Sequence, residues 1–170
     1  MKRIALLLAL VFGMMTTVSA QKIGYINTET VLNKIPAYKT AQDQLDRLRD
    51  QYQKEVEAAF QQIEEMFRTF QNDRVLLTED MRRRREEEII NRENAARELQ
   101  RNYFGQDGTL TKRSEELLKP IQDRVMTAVR EVADADGYAI ILDAANNPSM
   151  IFTNPRYDIS DKVVARLGYR

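Results

Sequence analysis

The chain has 170 residues and a formal net charge of zero, with 26 basic and 26 acidic side chains, and it contains neither cysteine nor histidine. Without cysteine no disulfide can stabilise the fold, and without histidine the chain lacks the side chain most often used as a general base or metal ligand. The balanced charge also argues against a protein that depends on phosphate contacts. Composition therefore disfavours enzymes and nucleic-acid-binding proteins.

Residues 1–20 have the three parts of a secretory signal peptide. Lys2 and Arg3 precede an apolar run over 4–15, and the small residues of Val18-Ser19-Ala20 follow it. The run is too short to cross about 30 Å of hydrocarbon as a helix. We expect cleavage after Ala20 and export of the mature chain.

Helical periodicity dominates the segment that follows the first predicted strand. Apolar residues recur every three or four positions from Ala41 to Phe70, which is typical of one face of an α-helix. We predict a helix from about Thr30 to Asn72, on the order of 65 Å long at ~1.5 Å per residue.

A second long helix returns antiparallel to the first. Asn72 and Asp73 favour a turn, and Thr78 can cap a new helix whose first turn contains Glu79 and Asp80. Apolar residues then recur in compatible phase as far as Val132. The two helices form a hairpin with its tip near 72–80.

Two glycines interrupt the return pattern. Gly105 and Gly108 each cost about 1 kcal/mol relative to alanine in a helix, so we predict a kink or short break there. Pro120 is a second weak point. The break is interpreted either as slack that equalises two unequal arms or as a functional hinge.

The ends of the chain change from helical to strand character. We predict strands at Ile23–Asn27, Tyr138–Asp143 and Met150–Thr153, with Gly137 as a left-handed helix cap and a short terminal helix that ends at Gly168. The predicted fold is mainly α with a small β body.

The predicted organisation is a long antiparallel helical hairpin projecting from a small assembly domain. The body comprises 21–29 and 137–170, and the arm comprises 30–136. Three short strands and one short helix bury little core, and no cysteine is available, so we expect the body to be stabilised by oligomerisation.

Three segments stand on either side of the long hairpin: the opening KIGYINTETVL, the passage LLKPIQDRVMTAVREVADADGYAIILDA and the closing YDISDKVVARL. In this order they resemble the OmpH/Skp family of periplasmic chaperones. The resemblance covers essentially the whole mature chain. It implies a homotrimer whose strands form a central barrel, with three arms around a cavity that holds unfolded outer-membrane proteins. By position, it implies that the assembly body contains Ile23, Tyr25, Ile140, Ile141, Leu142, Ile151 and Phe152.

Aromatic side chains along the arms are the candidate client-binding residues. An unfolded client could bind them through apolar burial, whereas packing inside the hairpin is the alternative interpretation. The candidates are Tyr52, Phe60, Phe67, Phe70, Tyr103 and Phe104. Tyr52 and Phe70 lie on the apolar stripe, which favours packing, while Phe60 and Phe67 lie one position beyond it and remain open to either interpretation.

The stretch MRRRREEEII gives the tip an arginine collar, defined as Arg74, Arg82, Arg83, Arg84 and Arg85. Successive helical residues turn by ~100°, so the four consecutive arginines point in different directions. We expect Arg82, Arg83 and Arg84 each to pair with the glutamate four residues on. Against Glu79 and Asp80, the collar leaves a net charge of +3 over 74–85. The interpretations are a solvated helix surface, or contact with lipid head groups or acidic client segments.

The sequence predicts an ATP-independent periplasmic holdase, a chaperone that binds unfolded outer-membrane proteins and prevents their aggregation. No phosphate-binding G-x-x-x-x-G-K-[ST] motif occurs, and we expect no cofactor, metal, catalytic residue or nucleic-acid partner. The alternative is a structural or adaptor coiled coil of the cell envelope that binds one folded partner. A hydrolase is opposed by the missing histidine and cysteine.

Overall fold

The computed structural model describes residues 21–145 and 147–169, so the predicted signal peptide lies outside the described residues. The chain is mainly helical with a small sheet and long helices, as predicted. In chain order the elements are β1 (Lys22–Ile26), α1 (Thr28–Asn33), α2 (Pro36–Asp73), α3 (Glu79–Phe104), α4 (Thr109–Asp136), β2 (Tyr138–Asp143), a 3-10 turn (Pro155–Tyr157) and α5 (Ser160–Arg166).

Pro36 divides the helix that was predicted to begin near Thr30 as one piece, and that prediction is wrong. Ile35 is extended, with φ −95° and ψ 111°, because the ring of a following proline disfavours the helical conformation. Pro36 itself suits the first turn of α2, where its missing N–H has no helical partner. The result is a separate short helix, α1, which belongs to the body.

The arm is a hairpin of α2 and α3 around a narrow apolar core. Its buried residues are Ile63, Phe70, Ile89 and Ala96. The Thr78 hydroxyl accepts a hydrogen bond from the Met81 N–H at 3.4 Å and caps α3, as predicted. The 38 residues of α2 correspond to a length of roughly 57 Å.

The return arm breaks at the two predicted glycines. Helix α3 ends at Phe104 and α4 begins at Thr109, whereas α2 continues without interruption on the opposite side of the hairpin. A Cβ atom on Gly105 would lie 2.5 Å from the Arg101 carbonyl oxygen, so the backbone approaches too closely for a side chain. Pro120, by contrast, lies inside α4 without ending it.

The body packs α1, α4 and α5 against one face of a two-stranded parallel sheet. Strands β1 and β2 pair in a register that places Ile23 beside Ile140 and Tyr25 beside Leu142. Gly137 ends α4 in the left-handed conformation, with φ 70° and ψ 37°, as predicted. The body core consists of Ile26, Val31, Ile35, Val125, Ala128, Val129, Val132, Ile159, Val163 and Val164.

The strand predicted at Met150–Thr153 does not form in this chain, so that prediction is wrong. One edge of β1 pairs with β2, and on its other side Tyr25 accepts a hydrogen bond from the Ile159 N–H at 2.9 Å. Only the outer edge of β2 could therefore receive this segment, and among the described residues no strand pairs there. Ile151 and Phe152 remain 97% and 83% exposed. The segment therefore leaves two large apolar side chains in solvent.

Candidate functional site

The outward face of the sheet is apolar and uncovered. Ile23, Ile140 and Leu142 are exposed there, whereas Ile141 points the other way and packs against the body core. Parallel sheets are normally covered on both faces, so an open apolar face indicates a contact surface.

Five of the seven residues predicted to lie in the assembly body present their side chains to solvent. They are Ile23, Ile140, Leu142, Ile151 and Phe152. The other two, Tyr25 and Ile141, are largely covered within the chain itself. Ile141 packs against the body core, whereas Tyr25 lies beside Leu142 in the strand register but is covered within the chain, so neither adds exposed surface.

Three of the candidate client-binding aromatics form a cluster that ties α2 to the end of α3. The rings of Tyr52 and Tyr103 stack with centroids 4.0 Å apart and an interplanar angle of 8°. Phe104 makes edge-on contacts with both, at 6.5 and 6.4 Å. Because the rings contact one another immediately before the break at Gly105, they stabilise the hairpin at this level.

A hydrogen bond reinforces this aromatic cluster. The Tyr103 hydroxyl donates to the Glu55 carboxylate, which also accepts from Gln51 Nε2 at 2.9 Å. The bond from Tyr103, and secondarily that from Gln51, lowers the pKa of Glu55, and the same carboxylate raises the pKa of Tyr103. The pair thus favours the ionised carboxylate and the neutral phenol at neutral pH. Sequence reasoning missed Glu55, because its partner lies 48 residues away in the chain.

The remaining three candidate aromatics divide between the core and the surface. Phe70 is buried in the core of the hairpin, so a client cannot reach its ring while the hairpin stays closed. Phe60 and Phe67 are 38% and 51% exposed. They are the two candidates whose rings are available on the intact arm.

The predicted forward ion pairs of the arginine collar are wrong. Arg82 contacts Glu79 at 3.4 Å, Arg83 contacts Asp80, and only Arg85 points forward, to Glu88 at 3.4 Å. The reason is geometric, because side chains on a helix tilt toward its N-terminus and so reach back to acids in the first turn. Among the described residues, no carboxylate lies within 4 Å of Arg74 or Arg84.

Two apolar side chains at the tip were missed in the sequence. Val75 and Leu76 lie in the turn after α2 and are almost fully exposed. The signal that could have found them is the run Val75-Leu76-Leu77, which falls in a turn where no helix face can bury all three. The tip therefore combines exposed apolar side chains with the cationic collar.

Membrane-spanning helices and metal-binding clusters are both missing from the part of the chain that the structure describes. None of its helices is long and apolar enough to span a bilayer. Over the same residues, no group of three or more carboxylate, histidine or cysteine side chains is placed to hold a metal ion.

The long helices and the small sheet agree with comparisons to known proteins. Residues 22–167 match the family described as outer membrane protein (OmpH-like), and the chain belongs to that family. The family is not enzymatic. The chain is 29% identical over 154 residues to the chaperone protein Skp of Vibrio cholerae serotype O1, covering 86% of this chain and 83% of that protein.

A solved structure shares the fold. The crystal structure of an OmpH-like protein of Caulobacter crescentus CB15, described as an outer membrane chaperone, matches with a TM-score of 0.67. The match covers 88% of this chain and 85% of the other at 15% sequence identity. At this low identity the match supports a shared fold and nothing further.

Proposed function

We propose that the protein is an ATP-independent periplasmic holdase that binds unfolded outer-membrane proteins between three helical arms. In this proposal the mature chain forms a homotrimer through the outward face of the sheet and the segment 150–153. Membership of the OmpH-like family and the description of its relatives as chaperones support the proposal. The predicted signal peptide supports the periplasmic location.

The observation that carries the proposal is the exposure of Phe60 and Phe67 on the long arm. Their rings lie beside the buried stripe of α2, where the packing of the hairpin leaves them in contact with solvent. Exposed aromatic rings on a rigid helix can bind apolar segments of many unrelated sequences.

The energetics favour several weak contacts over one tight site. Covering a further ~100 Å² of one ring contributes about 2.5 kcal/mol at ~25 cal/mol per Å², which alone is weaker than a millimolar affinity. Rings on three arms act together on one client, so the combined affinity rises well above that of a single contact. Release needs no nucleotide, because a client that folds into the membrane no longer exposes the segments that the arms bind.

The direct experiment is light scattering coupled to size exclusion on the mature protein, alone and with a urea-diluted outer-membrane β-barrel protein. The expected result is a trimer that keeps the client soluble in a defined complex. A monomer or dimer that lets the client aggregate would contradict the proposal and favour the adaptor function.

Replacing Phe60 and Phe67 together by serine is expected to weaken client binding by at least about tenfold, because two apolar contacts per arm are lost. The measurement is a titration of chaperone against the turbidity of the diluted client. Met126→Ser is the matched control, since Met126 is also 51% exposed but lies on α4. Equal losses in the two variants would show that client binding is not localised at the phenylalanines.

We also propose that the arm tips make transient contact with anionic lipid head groups. The collar supplies a net charge of +3, and Val75 and Leu76 offer apolar side chains between its arginines. A basic side chain close to an anionic surface contributes about 1 kcal/mol, so the attraction is modest and salt-dependent.

The lipid contact is tested by reversing Arg74 and Arg84 to glutamate. Sedimentation with anionic phospholipid vesicles is expected to fall by at least about tenfold, whereas the reversal Arg47→Glu on an exposed site of α2 leaves it unchanged. Unchanged sedimentation of the double variant, or equal binding to zwitterionic vesicles, would rule out this contact.

A further inference from the structure

A groove lies on the flank of the hairpin opposite to Phe67. Met66 and Phe67 follow the buried Ile63 by three and four residues, and at ~100° per residue they fall on opposite sides of it. On the Met66 side, a cavity of about 410 Å³ opens near the tip, with an apolar floor formed by Met66, Phe70, Leu77, Met81 and Ile89.

The groove continues toward the body. A second cavity of about 250 Å³ shares Gln62, Met66 and Arg92 with the first, so the two are adjacent. Along α2 they extend together from Ala59 to Asp73, which corresponds to roughly 21 Å of helix. We call the surface that the two cavities form the methionine groove.

The two walls of the methionine groove carry opposite charges. Glu65 and Asp73 line it from α2, and Arg85 and Arg92 line it from α3. Within the described part of the chain, no oppositely charged side chain lies within 4 Å of Glu65, Asp73 or Arg92. Arg85 contacts only Glu88, at 3.4 Å, and both side chains are about half exposed. The walls can therefore accept charged groups from a ligand.

We propose that the methionine groove binds an extended segment of an unfolded client, an inference that rests on the proposed holdase function. A length of ~21 Å accommodates six or seven extended residues at ~3.3 Å each, and alternate side chains of such a segment face one side. The strands of outer-membrane barrels alternate apolar and polar residues, so the apolar side chains contact the floor and the charged ones meet the walls.

The composition of the groove fits a ligand of variable sequence. Methionine is unbranched and polarisable, so Met66 and Met81 can adapt to different apolar side chains. The acidic and basic walls select a ligand by the order of charged residues along its segment rather than by the shape of its side chains. The groove thus differs from the rings of Phe60 and Phe67, which offer no charged partner of fixed position.

The absence of cysteine from the sequence allows a site-specific test on the assembled full-length mature protein. Gln62→Cys places one thiol on the groove, and Gln61→Cys places one on a side of the same helix that lines neither cavity and lies roughly 100° or more from Phe60 and Phe67. Both positions are exposed glutamines, so the substitutions are matched. The probe is a urea-diluted eight-stranded β-barrel protein, followed by a blocked heptapeptide in which leucine alternates with glutamate and lysine.

The inference predicts that both probes slow the reaction of the Gln62→Cys variant with iodoacetamide by at least about threefold, since burial in a complex blocks the thiolate. The reaction of the Gln61→Cys variant is expected to be unaffected. A client kept soluble with no protection of the groove thiol, or with equal protection of the two thiols, would overturn the groove while leaving the holdase function intact. A client that aggregates would overturn both. Protection of the groove thiol by detergent or lipid but not by the peptide would assign the groove to an amphiphile instead.

Charge reversal on the wall gives an independent readout. Arg92→Glu is expected to weaken binding of the heptapeptide about fivefold, in line with the loss of ~1 kcal/mol from a charged contact. Arg97→Glu is the control, because Arg97 lies on the same helix but pairs with Glu93 at 3.7 Å, away from the groove. Equal effects of the two reversals would contradict recognition by the walls.

Discussion

Ile140→Glu is expected to convert the proposed homotrimer into monomers. Ile140 lies 46% exposed on the outward face of the sheet, next to Ile23 in the strand register. If this face packs against neighbouring copies, a glutamate there must be buried without a partner, which costs several kcal/mol at each interface. Light scattering coupled to size exclusion at micromolar concentration measures the change directly.

Ile90→Glu is the matched control for this experiment. Ile90 is also a half-exposed isoleucine, at 55%, but it lies on α3 in the arm. The control is expected to keep the mass of the unmodified protein. If Ile140→Glu also keeps that mass, the outward face of the sheet is not the assembly surface.

Ile159→Ala is expected to lower the free energy of unfolding by about 3 kcal/mol, within the range of roughly 2 to 5 measured for buried isoleucine truncations. Ile159 is 1% exposed in the body core, where its neighbours cannot close the cavity that the truncation leaves. The loss is large against a typical total of about 5 to 15 kcal/mol, and no disulfide compensates for it.

The measurement is urea denaturation followed by circular dichroism at one fixed protein concentration, because assembly makes stability depend on concentration. Ile90→Ala removes the same atoms from an exposed site and is expected to change the free energy by no more than about 0.5 kcal/mol. An unchanged urea midpoint for Ile159→Ala would mean that the body does not unfold with the rest of the protein.

The ends and breaks of helices and strands that depend on a few neighbouring residues were predicted well from the sequence. Gly137 ends α4 in the left-handed conformation, the strand Tyr138–Asp143 has the predicted bounds, and the return arm breaks between Gly105 and Gly108. Each of these depends on backbone freedom or on periodicity within a few residues. The start of α2 also depends on neighbouring residues, because Pro36 keeps Ile35 extended, but the prediction did not include this effect.

Features that depend on distant partners were harder to predict. Periodicity placed Tyr52 on the apolar stripe but could not show that its ring stacks on Tyr103. The strand proposed at Met150–Thr153 has suitable residues, yet the segment pairs with neither β1 nor β2 of its own chain. Which of the exposed residues contact a client or another copy depends on molecules other than this chain, so the candidate site is a proposal drawn from exposure and charge.

The parallel pairing of β1 with β2 determines when the body can form during folding. The two strands are separated by residues 27–137, so their contact carries a large loop-closure entropy until the intervening segment is ordered. The hairpin consists of contacts between neighbouring helices, which form rapidly and bring Ile23 close to Ile140. The outward face of the sheet therefore does not exist until the arm is built, and if copies assemble through this face, they do so only after their arms have folded.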